Sequence, residues 1–146
     1  MADMLGQTLR IIRIEDNKQT IIFIGEGRVW RMSNNRDDCT DVLVTVEDIC
    51  GDLDDLIGSP LLMCEKTTHE NTNPPEITNF DFEKQRKWDD SFTWTFYKFA
   101  TIKGSVTIRW YGSSNGYYSE EVELYEIDFH FNTEYCAELR ALSRIT

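Results

Sequence analysis

From Thr93 to Glu126 the chain reads TWTFYKFATIKGSVTIRWYGSSNGYYSEEVELYE, and through most of it apolar and polar residues alternate with a period of two. Phe92, Trp94 and Phe96 alternate with Thr93, Thr95 and Tyr97. Val106, Ile108 and Trp110 alternate with Ser105, Thr107 and Arg109, and Val122 and Leu124 with Glu121 and Glu123. That is the period of a pleated strand, whose successive side chains point to opposite faces. Lys103-Gly104 marks one turn and Gly112 to Gly116 a second, where Asn115-Gly116 tolerates the positive φ of a tight hairpin. The stretch therefore predicts three successive antiparallel strands. Beyond Leu124 the apolar parity switches to Tyr125, Ile127, Phe129 and Phe131, which predicts a bulge or bend near Tyr125.

The same grammar runs upstream. Gln7 to Ile14 and Gln19 to Ile24 are rich in β-branched residues and flank the turn cluster Glu15-Asp16-Asn17-Lys18, which suggests a hairpin. Gly25-Glu26-Gly27 breaks the pattern before a strand with one wet face at Arg28 to Met32, where Trp30 suits the core better than a ligand platform. Further strands are expected at Asp41 to Val46 and Leu61 to Thr67. Between them Ile49, Leu53, Leu56 and Ile57 fall on one helical face, with Gly58 as cap and Pro60 as stop, predicting a short acidic helix within Glu47 to Pro60. Residues 68–90 turn polar around Pro74-Pro75 and read as a surface excursion. Thr133 to Arg144 has the pattern of a C-terminal helix with Thr133 as N-cap. The expected fold is α+β to mainly β: residues 1–146 as one domain, built on a curved antiparallel sheet of about six to eight strands, hairpin after hairpin.

Length and charge bound the function. At 146 residues the chain can bury most of the surface its unfolded form exposes. A net charge of -11 argues against direct nucleic-acid binding and against anionic membranes. No run approaches the ~18 apolar residues of a membrane span, and no leader is expected, so the thiols are expected to be reduced inside a cell. Between Asp37 and Glu65 there are nine acidic residues and no basic one. Asp37, Asp38, Asp41, Glu47, Asp48, Asp52, Asp54 and Asp55 thus offer either a solvated face or a docking surface for a basic partner.

Few motifs carry chemistry. Cys39, Cys50, Cys64 and Cys136 form no CxxC pair, and Asp52, Asp54 and Asp55 lack the spacing and distal Glu of a calcium loop, so no metal and no cofactor are expected. No phosphate loop, dinucleotide fingerprint or hydrolase elbow is present, and Glu120 and Glu121 point to opposite faces of a strand. Cys50 or Cys64 with His69 is a conceivable nucleophile and base, but the sequence does not bring them together. The segment FDFEKQRKW sets Lys84, Arg86 and Lys87 beside Phe80, Phe82 and Trp88, with Glu83, Asp89 and Asp90 offsetting the charge. The most distinctive polar set is RWYGSSNGYYSEE, Arg109 to Glu121: glycines for close approach, Ser113, Ser114 and Asn115 for hydrogen bonds, tyrosine faces, and the cation of Arg109. It suits an anionic, aromatic small molecule or, equally, an ordinary hairpin.

The runs EDICGDLDDLIGSPLLMCEK (Glu47 to Lys66) and WTFYKFATIKGSVTIRWYGSSNGYYSEEVEL (Trp94 to Leu124) resemble a family of small phage and prophage proteins first filed as a domain of unknown function. That family includes the Thoeris anti-defence sponge proteins, which bind a cyclic ADP-ribose signal and keep it from its effector. The resemblance runs from about Leu5 to Ile127. It departs at RDDCTDVLVTVEDIC, where relatives often carry paired cysteines, and in the extension after Ile127. It implies a non-enzymatic protein in the cytoplasm of a host bacterium that sequesters a cyclic nucleotide immune signal, assembled as a homo-oligomer with pockets near subunit contacts. Arg109, Tyr111, Ser114, Asn115, Tyr117 and Tyr118 lie in the matched motif and become ligand residues, with Arg28 as a second cation. The alternatives are direct inhibition of a host defence protein through the acidic surface and, third, an enzyme degrading the signal.

Overall fold

Two-sided burial separates this chain from a simple meander. A computed structural model describes residues 4–34, 42–74, 91–114 and 119–127. The described residues form eight strands: β1 (Leu9–Glu15), β2 (Thr20–Gly25), β3 (Val29–Ser33), β4 (Val42–Cys50), β5 (Met63–Glu70), β6 (Ser91–Thr101), β7 (Gly104–Ser114) and β8 (Glu123–Ile127). They make not one curved sheet but two four-stranded antiparallel sheets, ordered β1-β2-β3-β8 and β4-β7-β6-β5. The chain is mainly β.

The sheets share one core. Ile21, Phe23, Trp30, Met32 and Leu124 of the first sheet pack with Val44, Val46, Tyr97, Phe99, Val106, Ile108 and Trp110 of the second. Phe23 and Phe99 meet with ring centroids 5.6 Å apart. The fully buried Trp110 donates its indole N–H to Met32 Sδ at 3.1 Å. Full burial of one large apolar side chain stabilises by about 1.5–3 kcal/mol. These cross-sheet contacts, rather than intrinsic propensity, hold the layers together.

Three expectations are corrected here. The third strand of the presumed meander leaves its neighbours: β8 pairs with β3, Met32 opposite Leu124 and Val29 opposite Ile127, because Leu124 completes the shared core. No bulge interrupts that register. The parity switch after Leu124 instead reflects apolar residues on both faces, Ile127 packing with Ile22, Ile24 and Val29 on the outer side. The acidic helix shrinks to a 3-10 turn, Leu53–Leu56. β4 runs on through Ile49, which pairs with Ile108, and Gly51 at φ 107 turns the chain, so only Leu56 of the expected apolar face is fully buried. The helix expected at 133–144 and most of the 68–90 excursion lie outside the described residues.

The hairpin at the start is as expected. Asp16, Asn17 and Lys18 take φ values of 53, 54 and 68, a region that Asn and Asp tolerate best. The Lys18 carbonyl then accepts from Val46 N–H at 2.8 Å, tying this turn to the other sheet.

Two stability predictions follow from the packing. A Cβ at Gly51 would stand 2.5 Å from the Ser105 carbonyl oxygen, on a backbone at positive φ, so Gly51→Ala should cost about 2–3 kcal/mol in a denaturant titration. Burial raises the Cys64 thiol to about 11 and pushes the Tyr97 phenol up as well, with neighbouring carboxylates adding to the latter. Both groups are neutral when folded; the Cys64 contribution is whole below the ordinary thiol value of 9.0 and is lost as the pH rises through 11, while that of Tyr97 is whole below the ordinary phenol value of 10.0 and is lost at higher pH. Thermal melts from pH 8 to 11 should show a falling midpoint, and Cys64→Ala should flatten the early part of that fall.

Candidate functional site

The β6–β7 hairpin has two faces of different chemistry. Val106, Ile108 and Trp110 look into the shared core, and so do Tyr97 and Phe99. On the opposite, outer face stand Thr107, Arg109 and Tyr111 of β7 and Phe92, Trp94, Phe96 and Lys98 of β6. Register lines these up in rows across all four strands. One row is Cys50, Thr107 and Lys98; the next is Asp48, Arg109, Phe96 and Thr67; the third brings Tyr111 beside Trp94 and His69.

These rows floor a groove of about 280 Å³ lined by Cys50, Thr67, His69, Phe96, Lys98, Thr107 and Arg109. Its size is near the lower limit of about 300 Å³ for small-molecule sites. Phe96, 6 % exposed, lies in the groove floor, with the His69 ring 5.6 Å away and at 86° to it. Lys98 is exposed and makes no ion pair among the described residues. Arg109 lies over the Trp94 ring, 5.6 Å from its centroid, donates from Nε to Glu47, and sets Nη2 3.6 Å from Asp48. Tyr111 packs against Trp94 at 4.7 Å and against Phe92 at 6.2 Å, so it extends the aromatic wall beyond Arg109. Two cations, hydroxyls and aromatic rings on one face can hold an anion attached to a flat ring.

Cys50 and His69 now share a groove, but they stand on β4 and β5, the two edge strands of the sheet. Three strand spacings, roughly 14 Å, separate them across the sheet, and two rows separate them along it, far beyond the ~3 Å that a nucleophile and its base require. Partial burial and the Asp48 carboxylate raise the Cys50 thiol further, which keeps it protonated. Cys64 lies on the other face, against the shared core. Among the described residues no cluster of three or more His, Cys, Asp or Glu could hold a metal ion.

The residues singled out in the sequence are dispersed. Arg109 and Tyr111 share the outer face, whereas Ser114 lies on the inner one, fully buried, donating to Glu120. That carboxylate, 5 % exposed, also accepts from Ser91 at 2.9 Å and Thr93 at 2.8 Å. Arg28 belongs to the first sheet and forms a two-point pair with Glu126, Nε to Oε2 at 2.8 Å and Nη2 to Oε1 at 2.7 Å. Its hydrogen bonds hold the Glu126 carboxyl below the usual range. Asn115, Tyr117 and Tyr118 lie outside the described residues, as do Asp37, Asp38, Asp41 and the Lys84, Arg86 and Lys87 cluster. Of the remaining acidic residues, Glu47 and Asp48 flank Arg109, Asp52 caps the 3-10 turn by accepting from Asp54 N–H at 2.9 Å, and the Asp54 and Asp55 carbonyls accept from Ile57 N–H and the Thr101 hydroxyl.

Phe96, Lys98, Thr107, Thr67 and His69 were not singled out as ligand residues. The signal that finds the first three is the turn: Thr101 opposite Gly104 fixes every partner along the hairpin, including Arg109 with Phe96 and Thr107 with Lys98.

Removing the Glu120 carboxylate would leave two buried hydroxyls, Thr93 and Ser114, and the half-buried one of Ser91 without their acceptor. Glu120→Ala should lower unfolding stability by about 3 kcal/mol, and Glu120→Gln, which keeps one acceptor, by less, both read by chemical denaturation.

A family model described as "Domain of unknown function (DUF7448)" matches residues 2–124. No curated protein and no solved structure matches the chain.

Proposed function

We infer that this chain, which belongs to the DUF7448 family of domains of unknown function, captures a nucleotide without altering it, in the groove on the outer face of β4-β7-β6-β5. One observation carries this reading: at the groove floor Phe96, 6 % exposed, has Arg109 as its cross-strand partner on β7 and Lys98 two residues along its own strand, so two cations adjoin one aromatic ring. A purine stacked on Phe96 would place its phosphate within reach of one cation or the other. The Cys50 and His69 separation argues in the same direction, since the groove offers no assembled nucleophile and base.

The resemblance carried by Glu47 to Lys66 and Trp94 to Leu124 gives the ligand its class. On that ground the nucleotide is a cyclic signal of the ADP-ribose type made by a bacterial defence system. The protein is then a phage or prophage sponge, acting as a homo-oligomer in the cytoplasm of the host.

Native mass spectrometry of protein from cells with an active signalling defence should show a small extra mass, released unchanged on denaturation. Arg109→Ala and Phe96→Ala should each reduce capture at least about tenfold, the loss of one charge-assisted contact or one stacking face. A chemically altered ligand would contradict sequestration. Inhibition that survives both substitutions but fades with salt would favour the acidic surface instead.

A further inference from the structure

β4 loses regular register between Val46 and Asp48. Two residues, Glu47 and Asp48, thereby come opposite the single partner Arg109, the kind of re-aiming that bulges perform beside functional sites. Their carboxylates converge on its guanidinium: Glu47 accepts from Nε, and Asp48 Oδ2 is 3.6 Å from Nη2. The contact is sheltered, with the Arg109 and Glu47 side chains 17 % and 20 % exposed. Asp48 is held separately, by Ile49 N–H at 2.9 Å. The principal cation of the groove is thus met by two negative charges supplied by the protein's own edge strand.

We propose that Glu47 is a built-in competitor for Arg109, and that it sets which anions the groove accepts. Resting on the nucleotide reading above, this makes Glu47 a specificity-determining residue. A carboxylate ligand offers the guanidinium only what Glu47 already offers, so exchange brings no gain. A phosphate or pyrophosphate carries more charge and can grip two guanidinium N–H groups at once, and it displaces Glu47. Lys98, one residue row away, holds the second end of such a group.

The test is a titration with inorganic pyrophosphate, read by calorimetry and by the Arg109 side-chain Nε–H resonance. Pyrophosphate should shift that resonance in the wild-type protein, and acetate at equal concentration should leave it in place. Glu47→Gln keeps the hydrogen bond but removes the charge, and should tighten pyrophosphate binding about five- to tenfold, the difference between a charged and a neutral partner. Asp48→Asn, at the longer contact, should give a smaller gain, and Arg109→Ala in the Glu47→Gln background should abolish it. Equal affinity in wild type and Glu47→Gln overturns the proposal, as does an unmoved Arg109 resonance or an equal response to acetate. A parallel titration with cyclic ADP-ribose separates the two ideas: a pyrophosphate gain with no binding of the cyclic nucleotide leaves Glu47 as competitor and removes the nucleotide reading.

Discussion

The unbroken pairing of β6 with β7 is the constraint on which the rest depends. Ser91 opposite Ser114 runs to Thr101 opposite Gly104 without a shift. Because side chains alternate across that ladder, one register decides two things together. It sends Trp110, Ile108 and Phe99 inward to meet Met32 and Phe23, and it sends Arg109, Phe96 and Lys98 outward to the groove. A slip of one residue would place the arginine in the core and the tryptophan on the surface, so core and groove share one register.

The second sheet closes on the first through a few specific ties. Besides the Trp110 to Met32 contact and the bond from Val46 N–H to the Lys18 carbonyl, Tyr97 donates to the Val122 carbonyl at 2.6 Å, and Asn34 donates to the carbonyls of Ser119 and Glu121, each at 2.8 Å. The last two hold the chain just before β8 as it crosses between sheets. The tie at Val46 adjoins the bulge that brings Glu47 and Asp48 to Arg109. Stability and groove electrostatics therefore meet in the middle of β4, where the β1–β2 turn supports an edge strand.

Period-two patterning made the strands readable, and glycine-marked turns made the β6–β7 hairpin readable, since both are local properties of the chain. Partnership was not local. Nothing in ELYEI announces that Leu124 will seat beside Met32 rather than beside β7, because the choice depends on the volume left in a core made by distant residues. The acidic turn misled for a similar reason: Ile49, Leu53 and Leu56 suit a helix by spacing, but Ile49 gains more from pairing with Ile108 as β4 extends. Arg109 and Tyr111 could be found because they sit in an unusual motif. Phe96 and Lys98, on the facing strand, become visible only once cross-strand pairs are drawn.

Charge shows the same limit of one-dimensional reading. Arg28 and Arg109 each pair with carboxylate and lie over an indole ring, 4.9 Å from Trp30 and 5.6 Å from Trp94, yet Arg28 belongs to the first sheet and Arg109 to the groove of the second. The acidic run from Glu47 to Asp55 divides into two carboxylates at Arg109 and a capped 3-10 turn. The central claim is that an anionic aromatic ligand lies on the β4-β7-β6-β5 face. It is tested most directly by mapping backbone chemical shifts on adding nucleotide extracted from cells with an active signalling defence. The account predicts shifts concentrated at Thr67, Phe96, Lys98, Thr107 and Arg109. Shifts centred on Arg28 and Trp30 of the other sheet, or none at all, would contradict it.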